Sequence, residues 1–155
     1  MTNSSVQNSE TVVLDLDNTL ICSSRDKLTV EEDFQVKCHG CRYYIYFRPG
    51  LNEFIDKILE SFRNVYIMTM SKFEYAKQIC NYLFEPDELT KITIFSSESF
   101  GVQMKKNLAL IPYDNLTIYD DNPSIYLYTS KNTCFKEVSY YDLPDILCGG
   151  NSIEF

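Results

Sequence analysis

Apolar positions along this chain follow two rhythms, and their order predicts the architecture. Unalternating runs occur at Val12-Val13-Leu14, from Asn64 to Thr69, from Ile92 to Phe95 and from Leu116 to Tyr119. Such runs suit strands buried on both faces, as in a parallel sheet. Between them lie segments of helical period. Leu51, Phe54, Ile55, Ile58, Leu59 and Phe62 share one face of a helix that starts after the break at Arg48-Pro49-Gly50, and Ala76, Ile79, Cys80 and Leu83 mark a second. Residues 18–33 read as a loop. Phe34–Lys37 and Arg42–Phe47 read as a hairpin turning at Cys38-His39-Gly40-Cys41, Thr133–Val138 as an edge strand, and Leu143–Leu147 as a short helix. Residues 1–10 read as a polar, disordered tail. The alternation of strand and helix predicts one α/β domain over 11–155, with a central, mostly parallel sheet flanked by helices.

Composition narrows the function classes. The chain has 155 residues, 45% apolar and 23% charged, which is enough to bury a core and argues against disorder. A formal net charge of −8 disfavours direct nucleic-acid binding, because phosphate backbones attract a surplus of Lys and Arg. A phosphorylated ligand would need local cations. No run is long enough to span a membrane, and Met1–Glu10 lacks the apolar stretch of a signal peptide, so the six cysteines are expected as reduced thiols in a nuclear or cytoplasmic protein.

The candidate chemistry sits where the strands end. The first run delivers Asp15 and, two positions on, Asp17; the second ends at Thr69, near Ser71; the fourth ends at Asp120-Asp121; and Lys105-Lys106 lie between. Open α/β sheets bind ligands at the carboxyl ends of their strands. Carboxylates crowded there repel one another unless a cation joins them. Oxygen donors of this kind suit Mg²⁺, which keeps sites for water and substrate phosphate. A carboxylate held at a strand end can act as a nucleophile on phosphorus, a second can move protons, and a Lys can offset phosphoryl charge.

These residues also resemble a known family. Asp15-Leu16-Asp17-Asn18-Thr19-Leu20 is similar to the D-x-D-x-T/V motif of the haloacid dehalogenase superfamily. Arg48-Pro49-Gly50-Leu51, Thr69-Met70-Ser71 with Tyr75-Ala76, and Asp120-Asp121-Asn122-Pro123 resemble the FCP/SCP-type (NLI-interacting-factor-like) phosphatases of the RNA polymerase II C-terminal domain. The resemblance implies a Rossmann-like core with a small β-hairpin insertion and no cap domain. It also implies a Mg²⁺-dependent phosphoserine/threonine phosphatase working through an aspartyl-phosphate. It assigns Asp15 as nucleophile and metal ligand, and Asp17 as general acid/base giving its backbone carbonyl to the metal. Thr69 would contact the phosphoryl group, Lys106 (with Lys105 as the alternative) would match the K-D/N-L lysine, and Asp120 and Asp121 would complete the metal site. An uncovered site favours a phosphorylated protein or peptide as substrate, with Val36, Tyr75 and tyrosines 43, 44 and 46 offering surface to a Pro-containing segment; a monomer is expected. Two alternatives stay open: a small-molecule phosphatase of the same superfamily and a non-catalytic phosphopeptide-binding module. Departures from the family pattern bear on specificity: Met70 replaces the usual Ala, Ser97 replaces the basic residue before Glu98-Ser99, and the span to Lys106 is short.

The remaining motifs read as structural. Arg48 is expected to be an ion-pair partner, Ser71 a helix cap and His39 a turn residue. Phe34, Tyr43, Tyr44, Tyr46 and Phe47 are expected to pack. Cys38-x-x-Cys41 lacks a second paired spacing among Cys22, Cys80, Cys134 and Cys148, as four-ligand zinc sites have, and a redox pair would open a helix rather than turn a hairpin.

Overall fold

The computed structural model describes residues 10–128 and 130–155; the tail expected over 1–10 lies outside these except for Glu10, which pairs with Arg63 at 3.6 Å. The central sheet has five strands: β1 (Thr11–Leu14), β5 (Asn64–Met68), β6 (Ile92–Phe95), β8 (Asn115–Asp120) and β10 (Asn132–Glu137). Their order is β10-β8-β1-β5-β6, and every pairing is parallel. β1 is buried throughout. Val12 and Leu14 enter one apolar cluster while Val13 enters another, so the strand's two-residue period serves both faces of the sheet.

Each face is covered differently. α1 (Leu51–Ser61) and α2 (Phe73–Leu83) contribute Leu51, Phe54, Ile55 and Ile58, and Tyr75, Ala76, Ile79 and Cys80, to the cluster holding Val12 and Leu14. The cluster holding Val13 is closed by Phe100, Leu108, Ile111 and Tyr126. These come from 3₁₀ turns and from a short parallel ribbon, β7 (Lys106–Asn107) with β9 (Tyr126–Leu127). The sheet is therefore helix-covered on one face and turn-covered on the other, where the sequence predicts helices on both.

The expected hairpin is one part of a three-stranded antiparallel insertion. β3 (Phe34–Cys38) and β4 (Cys41–Phe47) pair as anticipated, with only His39-Gly40 in the turn. β2 (Ile21–Ser24) lies inside the segment read as loop and pairs with the other edge of β4. Among the described residues a short α3 (Pro86–Leu89) and α4 (Leu143–Cys148) complete the α-helices, and Ile146 of α4 packs with Cys22, Tyr46 and Tyr141. The chain leaves β1 for β5 on one side and returns through β8 on the other, so the crevice at the end of β1 is the topological switch point of the sheet.

Candidate active site

Past β1 the backbone folds into a tight loop. The Leu16 carbonyl accepts from the amides of Thr19, Leu20 and Ile21, and Asn18 adopts a left-handed conformation at φ 67°. Asn can take that conformation because its short polar side chain bonds locally; here its Nδ2 donates to the Tyr141 carbonyl at 2.8 Å. The loop aims Asp15 and Thr19 back toward the end of β8. Thr19 Oγ1 lies 2.9 Å from Asp15 Oδ2 and 2.9 Å from Asp121 Oδ1, and it accepts the Asp121 amide at 3.2 Å. Thr19 belongs to the first motif, yet its part in joining the two acidic segments is visible only in three dimensions.

Lys106 closes the arrangement from the opposite face. Its ammonium donates to Asp15 Oδ1 at 2.9 Å and to Asp120 Oδ2 at 2.7 Å, and it sits over the Tyr126 ring. Tyr126 Oη donates to Asp120 Oδ2 at 2.7 Å. Lys106 is buried and Lys105 exposed, so of the two lysines it is Lys106 that meets the acids. Asp15, Asp120 and Asp121 each bring a carboxylate oxygen within 4.8 Å of the others. Burial, with a smaller push from Asp121, raises the Asp15 carboxyl to about 6 despite Lys106. Burial and the nearby Asp15 also raise Asp120. Burial opposes charge on Lys106, but Asp15 and Asp120 outweigh it and the ammonium's pKa is raised.

Asp17 stands apart from this triad. Ser71 Oγ donates to one of its carboxylate oxygens and Tyr75 Oη to the other, both at 2.7 Å. Burial raises its pKa and the two hydroxyl donors moderate the rise. Ser71 is thus not the helix cap the sequence suggested. Lys72 occupies the N-cap of α2, and Glu98 accepts the Phe73 amide at 2.9 Å. Thr69, just past β5, is buried; its Oγ1 accepts the Ser71 amide at 3.1 Å, which leaves its hydroxyl proton available to a ligand. Asp15, Asp17, Thr69, Lys106, Asp120 and Asp121 line one cavity of about 280 Å³. Asp17, Met70 and Ser71 also line a neighbouring groove of about 570 Å³ with Tyr43, Tyr75 and Tyr140.

Arg48 is structural, as expected, but among the described residues its partners are neutral oxygens rather than an ion-pair acid. It is buried, and its donors go to the Asn151 and Thr19 carbonyls at 2.9 and 3.0 Å, to Ser139 Oγ at 2.8 Å and to Asn151 Oδ1. By gripping the Thr19 carbonyl it fixes the first-motif loop from behind.

The donor set fits a hard divalent cation. It is all oxygen, and three carboxylates against one ammonium leave a surplus of negative charge in a buried site. Comparison with known proteins agrees with the geometry: residues 10–145 match the model of NLI interacting factor-like phosphatases. The chain belongs to that family.

Among its relatives is an RNA polymerase II C-terminal domain phosphatase of Encephalitozoon cuniculi, 26% identical over 138 residues that cover 87% of this chain and 33% of that protein. Phosphatase PSR1 of Saccharomyces cerevisiae is 28% identical over 80% of this chain and 30% of its own length. A putative CTD phosphatase-like protein, 355R of Invertebrate iridescent virus 3, is 27% identical over 86% of both chains. The fold matches the fission yeast RNA polymerase II CTD phosphatase Fcp1 bound to beryllium fluoride, with a TM-score of 0.67 and 23% identity over 87% of this chain and 42% of that one. This chain therefore spans about a third of the first relative and less than half of the Fcp1 structure. Among the described residues, no helix is long and apolar enough to cross a membrane.

Proposed function

We propose that this chain is a Mg²⁺-dependent protein serine/threonine phosphatase that works through an aspartyl-phosphate on Asp15, with phosphoserine of the RNA polymerase II C-terminal domain or a similar phosphopeptide as substrate. The observation that carries this reading is the meeting of Asp15, Lys106, Asp120 and Asp121 at the switch point, beside a second acid, Asp17, held by two hydroxyls. Asp15, Asp120 and Asp121 would hold the Mg²⁺, which when bound neutralises charge on the phosphoryl oxygens and on the acids themselves.

The residues then divide the work. An Asp15 oxygen attacks phosphorus, forming the acyl-phosphate bond as the P–O bond to the serine breaks. Asp17, whose pKa burial raises, gives its proton to the departing serine oxygen. In the second step Asp17 takes a proton from water as the water oxygen attacks phosphorus and Asp15 is released. Lys106 and the Thr69 hydroxyl supply positive charge and a donor to the phosphoryl oxygens, where electrostatic positioning provides most of the rate. The groove beside Asp17, lined by Tyr43, Tyr75 and Tyr140, offers room for the flanking peptide.

The test is phosphate release from a phosphoserine heptad peptide, compared with a panel of sugar phosphates and nucleotides. Mg²⁺-dependent turnover of the peptide, lost on chelation and in Asp15→Asn, supports the proposal. Preference for the small molecules would replace its substrate, and turnover retained in Asp15→Asn would remove its nucleophile.

A further inference from the structure

A second group of ligand-type side chains gathers away from the acidic cavity, and the phosphatase chemistry makes no use of it. Cys38 ends β3, His39 occupies the turn and Glu74 lies in the first turn of α2. The Cys38 thiol, a His39 ring nitrogen and a Glu74 carboxylate oxygen lie within 4.8 Å of one another. The fold builds this meeting from several directions. His39 at φ 51° and Gly40 at φ 75° form the left-handed pair that a two-residue hairpin turn requires. Cys38 and Cys41 are register partners across that turn, so both side chains emerge on one face of the ribbon. On that face Phe34, Val36 and Cys38 are buried.

The same helix stripe runs alongside β3. Gln78, one turn after Glu74, donates to the Lys37 carbonyl at 2.9 Å, and Tyr82, one turn further, stacks on Phe34 at 3.8 Å. Glu74 is thereby fixed opposite the end of the hairpin, its carboxylate set against the Cys38 thiol.

We propose that Cys38, His39 and Glu74 supply three ligands of a Zn²⁺ site. A thiolate, an imidazole and a carboxylate select zinc over the hard Mg²⁺ suited to the all-oxygen triad. The ion clips the hairpin to α2. Both elements wall the groove next to Asp17: the hairpin brings Cys38, His39 and Tyr43, and the helix brings Tyr75. The clip sets the spacing of those walls, and its existence does not depend on which substrate the groove accepts.

The experiment is a Co²⁺ titration of the full chain, purified reduced and stripped with a chelator. Cobalt bound at the carboxylate triad gives no thiolate charge-transfer band, so a near-ultraviolet band reports the Cys38 site alone. The expected result is such a band, bleached by one equivalent of Zn²⁺, lost in Cys38→Ser and unchanged in Cys134→Ser. Glu74 is exposed, so Glu74→Gln should keep the fold while weakening Zn²⁺ binding at least about tenfold. Absence of the band from the parent chain, or a band of equal strength in a folded Glu74→Gln with unchanged zinc affinity, would overturn the proposal.

Discussion

Replacing Lys106 by Met tests the electrostatics of the acidic cavity through a property that needs no substrate. The two side chains are similar in length, but the variant loses donors 2.9 Å from Asp15 and 2.7 Å from Asp120. Lys106 and Asp120 are at most 2% exposed, so water cannot replace the lost charge. Breaking a buried pair by removing one partner typically costs about 3–5 kcal/mol. The cost should depend on pH in a definite direction. In the parent chain Asp15 titrates at about 6, above its ordinary 3.8, so the folded form holds a proton that the unfolded form has released and loses stability as pH rises through that window. Lys106 is the main influence lowering the Asp15 pKa, and its removal pushes the folded value higher. The deficit of Lys106→Met in metal-free buffer should therefore be smaller near pH 5, where Asp15 is protonated, than near pH 8, where it should reach about 3–5 kcal/mol. Urea denaturation at both pH values measures it. Added Mg²⁺ should recover part of the loss near pH 8, because the cation binds only the folded chain. An equal deficit at both pH values, or none, would refute the idea that Lys106 holds two ionised acids together.

Four further outcomes follow from the same geometry. Asp15→Asn should abolish peptide turnover yet melt no lower than the parent in chelator near pH 8, where the parent's ionised Asp15 is costly; thermal denaturation and phosphate release read the two halves. Tyr75→Phe removes one donor from the Asp17 carboxylate, so the alkaline limb of the kcat profile should move up by roughly one unit, the equivalent of one charge-assisted hydrogen bond. Arg48→Lys cannot reach the Asn151, Thr19 and Ser139 oxygens together and should cost roughly 2–4 kcal/mol in a denaturant melt. Gly50→Ala would place a Cβ 2.9 Å from the Ile153 carbonyl oxygen at φ 82°, and should cost roughly 1–3 kcal/mol by the same measurement.

What the sequence reveals and what it hides follow the range of the interactions. β1 and β8 are legible because strands buried on both faces need continuous apolar runs, the less buried β5 and β6 because their β-branched and aromatic runs stand between helical segments, and α1 and α2 because one buried face imposes a helical period. β2 is missed because Ile-Cys-Ser-Ser carries little strand preference; its partner β4 and the packing of Cys22 on Tyr46 decide its state. β7 and β9 are each two residues long, too short for any period to register. The acids of the site are legible as motifs, but their division of labour is not. Only the loop geometry shows that Asp121 shares Thr19 with Asp15 while Asp17 turns to Ser71 and Tyr75. Glu74 gives no sign in the sequence of its proximity to Cys38, because a carboxylate in a helix first turn is ordinarily an exposed residue favoured by the helix dipole.

The proposed catalytic route rests on a covalent phosphoryl group carried by one carboxylate. Acid quenching of the chain during turnover of a phosphoserine peptide with Mg²⁺, then borohydride reduction and peptide mass spectrometry, tests it. An acyl-phosphate is reduced to an alcohol, so the expected result is homoserine in place of Asp15, at a yield that falls to background when Mg²⁺ is omitted. Phosphate release with Asp15 unmodified, or with the reduction product at Asp120 or Asp121 instead, would contradict the assignment.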